Sequence, residues 1–180
     1  MSYPVFAAGD VLAASDMNAV GLWRLGSNTF TAQTGVNIDS VFTANYDVYR
    51  LFWLESDSNT AGETRVQFRT AGTTNVNNNY VHQNTYFTTA ATFNRNTVAT
   101  SSSMVTQNVG ASGWLWEMVI YNPFSNTQNT IFTVNGNVDT GTLYFSGGGA
   151  FNTTTRFDGI RITRSAGTMT GEWWLYGYKQ

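Results

Sequence analysis

From Thr29 onward the chain alternates runs of about five to ten residues, rich in β-branched and aromatic side chains, with stretches dominated by Gly, Asn, Ser and Thr. No helical period competes with that rhythm, which is the spacing of a β-sandwich or barrel. Val66 and Phe68 alternate with Arg65, Gln67 and Arg69, and Ile160 and Ile162 alternate with Arg161 and Arg164, so these runs predict strands with one buried and one wet face. Two other runs, from Tyr46 to Leu54 and from Trp114 to Tyr121, carry large apolar groups at both parities. One face of each belongs to the core, and the other needs a loop or a neighbouring chain.

The reversals are chemically explicit. Ala61-Gly62, Ala71-Gly72, Asn135-Gly136-Asn137, Thr140-Gly141 and Ala166-Gly167 each supply the positive φ that tight connections use, and they predict at least five hairpin-like turns. Further loops are expected around Asn75 to Asn79 and Gly147 to Gly149. Residues 1 to 26 differ in character: Ser15 offers an N-cap to Asp16-Met17-Asn18-Ala19-Val20, a single helical turn too short to stand without something packed on it. The expected organisation is therefore a docking segment, 1–26, followed by a sandwich, 27–180.

Composition limits the function classes. Charged residues are 11% of the 180-residue chain, against about 25% in an ordinary domain, and aromatics are 15%. Asn, Thr, Ser and Gln must carry the polar surface. A net charge of -2 and a single lysine, Lys179, lack the clustered cations that phosphate backbones require, so nucleic acid is not an expected partner. There is no cysteine for a disulfide or a thiolate metal site. Met1 leads into Ser2-Tyr3-Pro4-Val5-Phe6 without a basic region and a long apolar core, and no apolar run approaches a membrane span, so neither a standard signal peptide nor membrane insertion is expected.

No catalytic set assembles. His82 is the only histidine and reads as structural or surface-placed. Glu55, Glu117 and Glu172 fall on aromatic-rich strands, where lone acids pair with arginines such as Arg50 or Arg65 or point to solvent. The stretch from Asp57 to Glu63 is similar in its opening to a calcium loop but lacks the distal bidentate Glu, and an Asx-rich hairpin loop is the expected form. No cofactor or metal is expected. The aromatics Trp114, Trp116, Trp173, Trp174, Tyr176 and Tyr178 form the candidate contact face, explained first by burial against sister subunits and second by stacking on a glycan.

Both ends carry a resemblance. The run from Phe6 to Asn18 resembles the opening of many tailed-bacteriophage structural proteins, F-x-A-G-D-x-L-T-A-x-D-x-N, with Ala13 where Thr is usual. The closing run from Gly171 to Lys179 looks like the ends of such domains, which finish on an apolar strand and a short L-Y-G-x-K motif. The resemblance implies an antiparallel two-sheet β-sandwich of jelly-roll type, often a homotrimer. Its docking segment, through Phe6, Gly9, Asp10, Leu12, Asp16, Asn18 and Trp23, would lie near the attachment point. The implied function is a non-enzymatic, external, tail-associated virion protein of the fibre or minor tail kind. Its partners would be itself, a tail or major capsid protein, and a host surface glycan. Capsid decoration as a cement protein and a small tail-borne glycan hydrolase are the alternatives.

Overall fold

The computed structural model describes residues 21–88, 93–109, 113–138 and 143–178. The helical turn expected near Asp16 and the turn at Thr140-Gly141 lie outside them. Among the described residues there is no helix. The strands are β1 (Leu22–Gln33), β2 (Gly35–Ile38), β3 (Val48–Ser58), β4 (Gly62–Thr70), β5 (Thr73–Thr74), β6 (Tyr80–Thr88), β7 (Phe93–Ser101), β8 (Met104–Val109), β9 (Trp114–Tyr121), β10 (Thr130–Val138), β11 (Leu143–Phe151), β12 (Gly159–Arg164) and β13 (Met169–Tyr178). They form an antiparallel β-sandwich of an eight-stranded sheet, in the order β1-β13-β3-β9-β10-β11-β6-β7, and a five-stranded sheet, β2-β12-β4-β5 with β8 also on β4.

The connectivity is that of wrapped ribbons. β1 pairs with β13 while β2 pairs with β12; β3 and β4 take the other edges of β13 and β12; β9 and β8 continue from β3 and β4. Each ribbon, β1–β2, β12–β13, β3–β4 and β8–β9, steps from one sheet to the other, which is the wrapping of a jelly roll. β10, β11, β6 and β7 extend the larger sheet. The turns at Ala61-Gly62 and Ala166-Gly167 therefore cross between sheets rather than close hairpins, whereas Ala71 (φ 48°) and Gly72 (φ 77°) do close the β4–β5 hairpin.

Alternation places the core. On β3 the inward residues are Tyr49, Leu51, Trp53 and Glu55; on β9 they are Trp114, Trp116, Met118 and Ile120. Across from them stand Val66 and Phe68 of β4 and Ile160 and Ile162 of β12. Aromatic rings run through this layer: Phe30 stacks on Trp53 at 4.6 Å, Trp53 on Trp116 at 5.9 Å, and Trp114 meets Phe145 at 5.4 Å. Such pairs each add about 1 kcal/mol beyond the area they bury. A second cluster joins Phe68, Tyr80, Phe151 and Phe157, and the Tyr80 hydroxyl accepts the Phe68 amide at 2.7 Å.

Three expectations change here. Asn135-Gly136-Asn137 is no turn but part of β10, because a Cβ on Gly136 would stand 2.2 Å from the Phe145 ring: the strand needs the missing side chain, not a positive φ. Gly147 to Gly149 is no outward loop but the middle of β11, closely backed by β6. Arg69 and Arg164, expected on wet faces, are buried: Arg69 pairs with Asp39 at 2.5 Å, and Arg164 reaches Glu55 in the core.

Candidate functional site

The strand registers of the eight-stranded sheet align its outward side chains into rows that cross neighbouring strands. One row contains Leu54, Leu115, Asn137, Tyr144 and Phe87. Another, near the opposite strand ends, contains Leu22, Tyr178, Val48, Tyr121, Ile131, Ala150 and Val81. Between them lie two rows that are mainly polar from β9 to β6, with Glu117, Asn135, Ser146 and Thr85 in one and Val119, Thr133, Gly148 and Gln83 in the other; on β3 and β13 they continue through Phe52 and Trp174, and through Arg50 and Tyr176. The face thus carries two apolar bands flanking a polar stripe. The bands are open to water: Leu115 is 50% exposed, Ile131 49%, Tyr144 47% and Phe87 47%.

The stripe is internally paired. Arg50 donates to Glu117 through Nε at 3.0 Å and Nη2 at 2.5 Å, and its guanidinium lies 4.9 Å over the Phe52 ring. The Glu117 bond holds the Arg50 guanidinium further above its usual range. Ser146 donates to Asn135 at 2.7 Å. A half-exposed pair like this adds at most about 1 kcal/mol, but it leaves the stripe electrically neutral. The outer residues of the smaller sheet, Asn37, Arg161, Gln67 and Arg65, make an ordinary polar surface instead.

Of the six aromatics assigned to a contact face, the structure divides three from three. Trp174, Tyr176 and Tyr178 point outward on β13, half-buried, with Tyr176 edge-on to Phe52 at 6.0 Å. Trp114, Trp116 and Trp173 belong to the core, at 1%, 1% and 9% exposure, and cannot form an outer surface of this chain. Their parity is set by the rings they stack on within the sandwich. The residues that replace them on the face are Leu115, Ile131 and Tyr144, which carried no distinguishing signal in the sequence, and Phe87, whose strand had stood out only for its aromatic content. Of the docking segment, Trp23 is described: it stands in β1 opposite Gly177, half-buried, while Phe6, Gly9, Asp10, Leu12, Asp16 and Asn18 lie outside the described residues.

The carboxylates also separate. Glu117 pairs with Arg50 as expected. Glu55 is fully buried, accepts the Trp114 indole N–H at 3.0 Å and faces Arg164 at 3.4 Å, an ion pair closed off from solvent on both sides. Burial raises its pKa, and the Trp114 bond and Arg164 charge oppose that rise. His82 is buried on the inner side of β6 at 2% exposure, and neither ring nitrogen bonds a protein group. Among the described residues no group of three or more His, Asp or Glu is placed to hold a metal.

Burial lowers the His82 pKa below its ordinary 6.5. The unfolded chain therefore binds a proton that the fold resists, so stability is complete above 6.5 and is lost as the pH falls through the folded-state value. The limiting slope for one such group is about 1.4 kcal/mol per pH unit. His82→Leu is expected to remove this slope. Urea unfolding at about pH 7 and about pH 5 checks it, and an unchanged slope would acquit His82.

A hollow of about 230 Å³ opens at one end of the sandwich. Tyr46 and Asp47 from the β2–β3 loop, Asn122, Phe124 and Gln128 from the β9–β10 connection, and Arg156 from the β11–β12 loop line it. The loops are tied by backbone bonds: the Asn122 amide donates to the Asp47 carbonyl at 2.7 Å and the Phe157 amide to the Pro123 carbonyl at 2.8 Å. Asn122 takes a left-handed φ of 55°, which Asn tolerates better than most residues. The Arg156 guanidinium stacks 4.8 Å over Phe124.

Fold and surface together define a two-sheet antiparallel β-sandwich of jelly-roll type with an apolar, aromatic outer face. No protein-family model matches the chain, and no curated protein matches it. Among solved structures it is similar to galectin LEC-6 of Caenorhabditis elegans, at TM-score 0.37 and 13% identity over 82% of this chain and 95% of that one. It is also similar to a pilus protein of Bacillus endospore appendages, at TM-score 0.33 and 14% identity over all of both chains. A third is a tail fiber protein of an E. coli phage, at TM-score 0.31 and 11% identity over 89% of this chain and 22% of that one.

Proposed function

We propose that this chain is a non-enzymatic, external structural protein of a tailed-phage particle. It is tail-associated, of the fibre or minor tail kind, and works as a homo-oligomer, a trimer by the resemblance of its ends. The observation that carries the assembly is the pair of apolar bands on the eight-stranded sheet. A lone chain would leave Leu115, Ile131, Tyr144 and Phe87 in water as parts of extended rows, whereas scattered single exposures are ordinary. A sister chain is the occupant that fits best. The middle of the stripe is neutral through the Arg50–Glu117 pair, so a second copy laid over it meets no unpaired charge there, and bands on both sides of the stripe offer matching contacts. The placement on a phage rests on the run from Phe6 to Asn18 and the closing Gly171 to Lys179; since Leu22 already opens β1 of the large sheet, the residues ahead of it are the element proposed to meet the particle.

Leu115→Asp combined with Ile131→Asp places a charge in each band without touching the core. The expected result by sedimentation is an oligomer for the wild type and a monomer with unchanged β-type circular dichroism for the variant. A wild-type chain that sediments as a monomer at micromolar concentration would sink the assembly. Gold-labelled antibody on intact particles tests the location: label at the tail supports the reading, and label spread over the head replaces it with decoration.

A further inference from the structure

We infer that the end hollow is a binding site for one neutral sugar residue. Its hydrogen-bonding side chains are not committed elsewhere: the Asp47 carboxylate, the Asn122 and Gln128 amides and the Arg156 guanidinium make no hydrogen bond or ion pair with other described groups. Several such groups elsewhere are engaged, as Arg50 is with Glu117, Arg65 with Glu63, Arg69 with Asp39 and Asn135 with Ser146. A chain this poor in charge has brought an acid and a base to one hollow without pairing them.

The chemistry of the lining selects the ligand. One carboxylate and one guanidinium sum to zero charge, which favours a neutral guest over a phosphate or an acidic sugar. A single carboxylate is too few for a hard cation, which takes six or more oxygens. Carboxylate, amide and guanidinium edges together match adjacent hydroxyls, which both donate and accept. Tyr46 supplies a ring for the apolar C–H face of a sugar, and Phe124 holds Arg156 in place by stacking. A volume of about 230 Å³ is below the roughly 300 Å³ of a drug-sized site and suits one ring rather than a chain. The two backbone ties between loops fix the hollow before a ligand arrives, which reduces the ordering penalty on binding.

The site does not depend on the assembly reading. The test uses the full chain, with chemical shifts of backbone amides followed during titration with glucose, galactose, N-acetylglucosamine, their methyl glycosides, and glucuronate as the acidic comparison. At least one neutral sugar is expected to saturate at a Kd of about 1 mM, the scale for a ligand of about a dozen heavy atoms, with shifts centred on Tyr46, Asp47 and Asn122. Binding of the methyl glycoside as well would mark the site as reading the end of a glycan chain, and binding of the free sugar alone would mark it as reading a monosaccharide; either supports the site. Asp47→Ala and Arg156→Ala, at exposed positions outside the core, should each weaken binding about tenfold. The Leu115→Asp/Ile131→Asp variant should bind as the wild type does, which separates failure of this site from failure of assembly. No shifts in any neutral sugar at tens of millimolar, preference for glucuronate, or indifference to both Ala substitutions would each overturn the inference.

Discussion

Gly149→Ala is expected to lower the melting temperature by about 10 °C, although it adds a single methyl group. A Cβ at this position would stand 2.1 Å from the Val81 carbonyl oxygen and 2.8 Å from the His82 Cα, both backbone atoms of the neighbouring β6. No rotamer change relieves such a clash. β6 must move away from β11, and the ladder from Leu143–Thr88 to Phe151–Tyr80 loosens with it. Overpacking a tight core costs about 3 kcal/mol, and in a chain of this length each kcal/mol is worth roughly 2–4 °C. Gly147 sits under the same constraint, 2.6 Å from the Gln83 carbonyl, so Gly147→Ala should behave alike. Melting within about 2 °C of the wild type would mean that β6 and β11 are not held this closely.

Arg164→Met should cost about 3–5 kcal/mol at neutral pH, because it strands the Glu55 carboxylate in the core and releases the Thr60 carbonyl that Arg164 also binds at 2.7 Å. The companion double variant Glu55→Gln/Arg164→Met removes both charges and should recover most of the loss, since a buried pair roughly balances its own desolvation. The pH dependence has a definite sign. Burial already lifts the Glu55 pKa above 4.5, and losing the Arg164 charge lifts it further. A raised carboxyl pKa means the folded state holds a proton that the unfolded state has shed. Stability is then fullest below 4.5 and falls as the pH rises through the folded value. The gap between Arg164→Met and wild type should therefore narrow on acidification. Denaturant unfolding of all three proteins across pH measures it, and a gap that widens toward acid would contradict the assignment.

The all-β class was legible because Val66, Phe68, Ile160 and Ile162 alternate cleanly with polar neighbours, and their inward placement follows directly. Where both parities are apolar, as at Trp114 to Tyr121 and Trp173-Trp174, sequence cannot say which face turns inward: period-two patterning decides parity only when one face is polar. Trp116 and Leu115 therefore exchanged roles. Glycine misled for another reason. Turn chemistry makes Gly a marker of positive φ, yet Gly136 and Gly149 are small because a ring or a strand lies against them, and that neighbour is distant in sequence. Arg164 read as surface on its charge alone, although it shares the parity of Ile160 and Ile162 and follows them inward, where Glu55 of another ribbon meets it. That an acid on these strands would meet an arginine such as Arg50 was expected without saying which acid, whereas the end hollow draws Asp47, Asn122 and Arg156 from three separate loops and had no local signature.

The pairing of β1 with β13 has a mechanical consequence. Leu22 and Tyr178 are cross-strand partners at one corner of the sandwich, while the far end of the same ladder joins Gln33 to Met169. Tension between the segment before Leu22 and the residues after Tyr178 would peel this ladder like a zipper, one rung at a time. Tension between that same segment and the opposite end of β13 would load every rung together in shear. A pull between the chain ahead of Leu22 and the Met169 end of β13 thus strains the ladder along its stiff direction.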